Sequence, residues 1–175
     1  LPERRRSTSP VREFTIYKLR TMRIESPATA SSITAHDDAR VFPFGAWLRR
    51  LKIDELPQLF NVIKADMAIV GPRPEAPEIV RGYFTPEDLE TLRVPPGITS
   101  PGSLHYYTHC EQLLTTAGAN NLHFYVEKLL PLKLSLDRVY IGRATLAYDV
   151  RMVVRTVAFI VGRALGKKHF PDPPE

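Results

Sequence analysis

The sequence predicts an α+β fold, a single mainly helical domain with a small amount of short β-strand. Three observations carry this expectation. Apolar residues recur at helical spacing in two segments, at Leu56, Leu59, Phe60 and Ile63, and at Leu146, Val150, Val153, Val157, Ile160 and Ala164. A short apolar run, "MAIV" at 67–70, is closed by the turn "GPRPE" and reads as a buried strand. Sixteen prolines against nine glycines call for many rigid corners and long irregular loops.

Taken in order, residues 1–13 form a basic arm, "LPERRRSTSPVRE", expected to be flexible and to be where a longer parent chain was cut. "FTIYKLR" (14–20) has the β-branched and aromatic content of a strand, with Lys18 and Arg20 at the same parity and so on one side. Residues 23–40 are small and polar and read as a loop, with His36, Asp37 and Asp38 in a surface turn. A short helix is expected over 44–52, then a helix after "IDE" that buries its Leu56, Leu59, Phe60 and Ile63 face. On that helix Asp54, Gln58 and Asn61 form the opposite, polar stripe. One or two short helices fit 75–93, and "VPPGITSPGSL" (94–104) reads as loop. Helical stretches follow at 109–117, 121–131 and 133–142. A long amphipathic C-terminal helix runs from Arg143 to Leu165, and residues 167–175 are expected to be disordered.

Length and charge bound the function. The chain of 175 residues suits one domain with a sizeable core, here 14–166. A net charge of +5 favours phosphate-bearing partners: nucleotides, nucleic acid or an anionic membrane surface. The sequence carries no helix-turn-helix, RNA-recognition or zinc-finger pattern, so nucleic acid is not an expected partner. The single cysteine, Cys110, excludes an internal disulfide, and no apolar run is long enough to cross a bilayer outright.

Chemistry concentrates in "IDELPQL" (53–59), where Asp54 and Glu55 stand side by side. Two readings compete. Acids before Leu-Pro suit a helix N-terminus, as a cap favoured by the macrodipole. The same position suits a carboxylate that attacks phosphorus, with a neighbouring carboxylate holding Mg²⁺. The flanks favour phosphate. Basic "LRRLK" precedes the pair, and Arg73 is fixed between two prolines in "GPRP", its fork ready for a pair of phosphate oxygens. "HYYTHC" (105–110) suits ordinary packing or a nucleotide base. The basic C-terminal helix, with Arg143, Arg151, Arg155 and Arg163, suits either its own core or a membrane surface.

In this order, "FTIYKLRTM", "DDARVFPFGAWLRRLKIDELPQLFNVIKADMAIVGPRPE", "VPPGIT" and the terminal "LKLSLDRVYIGRATLAYDVRMVVRTV" resemble the bacterial sugar transferase family, the monotopic phosphoglycosyl transferases. The resemblance implies transfer of a sugar-1-phosphate from a nucleotide-sugar donor, usually UDP-linked, to a polyprenol phosphate acceptor through a phospho-aspartate. Matched by motif, Asp54 is the nucleophile and Glu55 a Mg²⁺ ligand. Lys18, Arg20 and Arg73 face phosphate or nucleotide, and Asp137 belongs to the active-site network. The implied setting is the cytoplasmic face of the bacterial inner membrane, at the first membrane step of exopolysaccharide, O-antigen or glycan assembly, and a homo-oligomer is compatible with it. An inactive member serving as an assembly partner is the alternative. The sequence departs from the family in lacking a counterpart of its hydrophobic re-entrant helix. It also departs in residues 100–131, where Ser100 replaces a usual Gly and where sugar and nucleotide preference would lie.

Overall fold

Two short parallel strands, β1 (Ala68–Val70) and β2 (Gly97–Thr99), pair in the register Ala68↔Gly97 and Val70↔Thr99, with helices packed around them. The computed structural model describes residues 13–23, 38–110, 113, 121–167 and 169–171. The expected basic arm, most of the 23–40 loop with His36 and Asp37, and most of the 109–117 helix lie outside these residues. Helices α1 (Pro43–Arg50), α2 (Gln58–Ile63) and α3 (Pro77–Tyr83) are short. They are followed by α4 (Pro101–His105), α5 (Asn121–Phe124), α6 (Leu130–Arg143) and α7 (Leu146–Ala164). The mainly helical α+β expectation holds.

Local chemistry explains the boundaries. Prolines open α1, α3 and α4, where a missing N–H costs nothing. Ser100 caps α4 by accepting from the Ser103 N–H at 2.9 Å, and Thr145 caps α7 by accepting from the Tyr148 N–H at 3.1 Å. That second cap splits the single helix expected over 143–165, leaving Arg143 at the end of α6. A π-helical turn, Tyr125–Leu129, joins α5 to α6 just before Pro131, which cannot donate into the preceding turn. α7 ends where Gly166 takes φ +85° and donates to Arg163 O.

Three further expectations, over residues 14–20, 94–104 and the α2 face, are overturned. Residues 14–20 do not form a strand. The Asn61 side chain occupies the backbone instead, accepting from Tyr17 N–H at 3.1 Å and donating to Thr15 C=O at 2.7 Å, while Leu19 N–H donates to Asp54 C=O at 2.9 Å. Without a strand, the parity argument for Lys18 and Arg20 lapses. The loop expected over 94–104 contains β2, whose Gly97 lies so close to β1 that a Cβ there would meet Gly71 N at 2.1 Å. The apolar face of α2 is not buried. Leu56, Leu59, Phe60 and Ile63 are exposed, Ile63 at 80%, while Gln58 and Asn61 are at 2% and 0%. Asn61 faces inward because its side chain supplies hydrogen bonds to backbone that has no strand partner.

The core has two parts. One joins Ile79, Cys110, Tyr125, Val126, Leu129, Leu130 and Leu134; the other joins Val70, Leu104, Tyr140, Ala144, Met152 and Phe159. The helix α7 therefore packs on the core through Met152 and Phe159 and also presents Leu146, Val150, Val154, Val157 and Val161 outward. Phe170, expected in a disordered tail, packs edge-on against Phe159 with ring centroids 4.8 Å apart. Among the described residues no helix is long and apolar enough to cross a membrane.

Candidate active site

The chain turns sharply between α1 and α2. Lys52 takes the left-handed conformation (φ 55°), and a single 3₁₀ turn, Ile53–Glu55, follows. The turn buries both neighbouring acids, Asp54 at 7% and Glu55 at 8% exposed. Neither caps a helix: no side-chain cap bond forms at the 3₁₀ turn or at α2, whose cap position is Pro57. The capping reading of the pair therefore fails, and burying two adjacent carboxylates needs another explanation.

Glu55 is clamped. Arg73 donates to it in a two-pronged pair, Nη2 to Oε1 at 2.7 Å and Nη1 to Oε2 at 3.2 Å. Lys18 Nζ adds a contact to Oε1 at 3.2 Å, and the Tyr107 hydroxyl lies 3.5 Å from the same oxygen. Burial alone would push this carboxyl up, but Arg73, Lys52 and Lys18 outweigh it and hold Glu55 well below the usual carboxylate range. Burial likewise disfavours charge on Arg73, yet Tyr107, Glu55 and Glu75 around it keep its proton on. Lys18 is held below its ordinary value by burial and the like charge of Arg73, with Glu55 opposing. The rigid "GPRP" corner thus delivers Arg73 to a carboxylate that stands where the sequence suggested a phosphate.

Asp54 is treated differently. Its backbone carbonyl anchors Leu19, but its Oδ1 is buried and has no hydrogen-bond partner among the described residues. Burial, then the neighbouring Glu55 charge, pushes this carboxyl up, against the pull of Lys52, Lys18 and Arg49. An unpaired buried carboxylate oxygen is costly, a feature Asp54 shares with Asp137, whose Oδ2 is also buried without a partner among the described residues.

The remaining expected residues take other places. Arg20 is exposed and makes none of these contacts. Asp137 is fully buried behind the site, where Oδ1 accepts from Gly102 N–H at 3.0 Å and ties α6 to the start of α4. Burial pushes its carboxyl up to about 6, against the charge of Lys133. Asp38 pairs with Arg40 at 2.6 Å within a turn, both side chains being largely covered.

Sequence reasoning missed several contributors. Tyr107, from "HYYTHC", lies beneath Lys52, whose Nζ sits 3.3 Å from the ring centroid, and it also stacks on Phe159. Glu75 accepts from the Tyr125 hydroxyl at 2.8 Å and from Lys133, forming a buried charged cluster next to Arg73. Residues 18, 55, 73 and 107 are too far apart in sequence for periodicity to join them. Only the charge of "LRRLK" and the Glu after "GPRP" hinted at these groups.

Asp54 and Glu55 carry hard oxygen donors of the kind Mg²⁺ takes, with Asp54 Oδ1 uncommitted and both Glu55 oxygens held by Arg73 and Lys18. Among the described residues no cluster of three or more His, Cys, Asp or Glu could hold a metal alone. Substrate phosphates would complete the set, as is usual for Mg²⁺.

A family model described as "Bacterial sugar transferase" matches residues 2–163. The chain belongs to the bacterial sugar transferase family. It is 32% identical over 157 residues to a UDP-glucose:undecaprenyl-phosphate glucose-1-phosphate transferase of Xanthomonas campestris pv. campestris, covering 87% of this chain and 29% of that protein. To a UDP-N-acetylgalactosamine-undecaprenyl-phosphate N-acetylgalactosaminephosphotransferase of Aeromonas hydrophila it is 33% identical over 152 residues, 86% of this chain and 32% of that protein. To an undecaprenyl-phosphate glucose phosphotransferase of Komagataeibacter xylinus it is 46% identical over 94 residues, 50% of this chain and 18% of that protein. The chain spans less than a third of the length of each of these relatives. The matched residues 2–163 include the acid pair, the Arg73 corner, α6 and nearly all of α7.

Proposed function

We propose that this sugar transferase domain moves a sugar-1-phosphate from a UDP-sugar to a polyprenol phosphate in two steps through Asp54. In the first step an Asp54 oxygen bonds to the donor's β-phosphorus. The bond from that phosphorus to the bridging oxygen breaks, and nucleoside monophosphate leaves with the bridging oxygen. In the second step an oxygen of the acceptor phosphate bonds to the same phosphorus. The Asp54–phosphorus bond breaks, which restores the carboxylate and gives a polyprenyl diphospho-sugar.

The observation that carries this reading is the contrast within the acid pair. Glu55 is fixed by Arg73, Lys18 and Tyr107, whereas Asp54 keeps a buried oxygen uncommitted. Partial desolvation and the adjacent anion leave Asp54 a stronger nucleophile than a solvated carboxylate. Arg73, Lys18 and Lys52 supply the positive charge that phosphoryl transfer demands at its developing oxyanions. Glu55, with the donor phosphates, would hold Mg²⁺, which when bound offsets the repulsion between nucleophile and diphosphate. The names of the relatives support the donor and acceptor classes.

The inverted α2 supports a membrane setting. Its Leu59, Phe60 and Ile63, with Leu56 just before it, Phe44 and Trp47 of α1 and the outward valines of α7, are too many exposed large apolar side chains for an ordinary solvated face. Arg50 and Arg163 lie at the ends of α1 and α7, where Arg50 Nη2 donates to Arg163 C=O at 3.2 Å. An amphipathic surface with basic edges suits the anionic cytoplasmic face of a bacterial membrane. The test is a donor-only burst: wild-type protein with UDP-sugar and Mg²⁺, without acceptor, releases nucleoside monophosphate at one equivalent per chain. Asp54→Asn releases none. Equal release by Asp54→Asn overturns the reading.

A further inference from the structure

Between α2, β2, the turn after α4 and α7 lies a cavity of about 130 Å³. Its lining divides by chemistry. Lys52, Glu55 and Tyr107 belong to the polar site, whereas Leu56, Leu59, Ile98, Leu104, Phe159 and Ile160 are hydrocarbon. Leu56 and Leu59 are about half exposed, so the opening lies on the outward apolar face of α2. The two threonine hydroxyls in the wall are already used. Thr99 and Thr156 bond each other at 2.7 Å, and Thr156 also donates to Met152 C=O at 2.8 Å.

A ligand matched to this cavity has an anionic group at one end and a hydrocarbon group at the other. A nucleotide sugar does not fit that description, because its sugar and ribose hydroxyls would find no partners on these walls. We propose that the cavity receives the isoprenoid unit next to the acceptor's phosphate, so that Leu59, Ile98, Phe159 and Ile160 select for a prenyl acceptor. This inference rests on the two-step reading above and assigns the acceptor subsite within it. Lys52, the cation in this lining, is the partner for the acceptor's phosphate, and the exposed leucines let the rest of the tail pass out along the apolar face.

The experiment uses the full chain with a short, water-soluble prenyl phosphate such as geranyl phosphate, so membrane docking does not enter the readout. Two variants are compared with wild type: Ile160→Trp, which fills the cavity, and Leu59→Gln, which makes its rim polar. Donor-only formation of the phosphosugar adduct is measured first and is expected to be unchanged in both, which also shows that each variant folds. The KM for geranyl phosphate is expected to rise roughly tenfold, the scale of losing burial for a small hydrocarbon group, with the donor KM unchanged. If Ile160→Trp fails to form adduct, Leu59→Gln, half exposed and outside the core, carries the comparison alone. A rise in acceptor KM below about threefold in adduct-competent variants overturns the inference while leaving the covalent reading intact. Absence of adduct in the wild-type protein overturns both.

Discussion

Glu55→Gln keeps the shape of the side chain and removes its charge, and the structure sets the size of the effect. The carboxylate takes a two-pronged bond from Arg73 and one from Lys18, with Glu55 and Arg73 side chains only 10% and 19% exposed. Hydrogen bonds to charged groups contribute about 1.5–3 kcal/mol each when buried, and removing one partner of a buried pair costs about 3–5 kcal/mol because the other charge is stranded. Lys18 is half exposed and can turn to water, so its share is discounted. Glu55→Gln is therefore expected to lose about 2–4 kcal/mol in urea unfolding at neutral pH. A cycle with Arg73→Met should give a coupling of about 2–3 kcal/mol. The pH dependence has a definite sign. A carboxyl held below its unfolded value stabilises the fold above that value, 4.5, and the contribution is lost as pH falls below it. Wild type should thus lose stability more steeply than Glu55→Gln on acidification below about pH 4.5. A coupling under about 0.5 kcal/mol, the value of a solvated surface pair, would refute the clamp.

Other outcomes follow from the same geometry. Asp54→Asn should abolish transfer yet leave stability unchanged or raised at neutral pH. Its carboxyl is pushed up on folding, so the ionised form opposes the fold progressively as pH rises above the ordinary carboxylate value, which parallel urea curves at pH 5 and pH 8 would reveal. Gly102→Ala should cost more than about 3 kcal/mol, or prevent folding, because the added Cβ would meet Lys133 O at 2.3 Å and Asp137 Oδ1 at 2.8 Å; yield and melting temperature report it. Ile63→Gln, at an 80% exposed position, should change unfolding free energy by less than about 0.5 kcal/mol yet weaken sedimentation with anionic liposomes. A stability loss of core size would return Ile63 to the interior.

Much of the fold was legible because local chemistry dictated it. The short helix expected over 44–52 is α1, whose Pro43 and basic last turn suit its two ends, and the short apolar run before "GPRPE" is β1. What was not legible depended on contacts distant in sequence. The strand β2 is three residues of Gly-Ile-Thr in a proline-rich stretch, and only a parallel partner about thirty positions earlier makes it a strand. Residues 14–20 have strand composition but meet the Asn61 amide instead of a sheet edge. The α2 stripe was identified correctly as amphipathic and assigned to the wrong side, since periodicity finds two faces without saying which meets solvent or lipid. At the site, motif order brought out Asp54, Glu55, Lys18 and Arg73, which the fold gathers. It also named Arg20, which remains exposed, and Asp137, which braces the loop behind. Tyr107 gave no local signal beyond its aromatic neighbours, because its role comes from lying under Lys52 and beside Glu55.

The central claim is a covalent bond at one side chain, and peptide-level mass spectrometry after donor-only incubation examines it directly. Full chain mixed with UDP-sugar and Mg²⁺, quenched and digested, should carry a phosphosugar on the peptide spanning Lys52 to Lys64, fragmenting to Asp54 and lost on hydroxylamine treatment. The same mass on any other residue, or an unmodified peptide alongside full nucleoside monophosphate release, would contradict it.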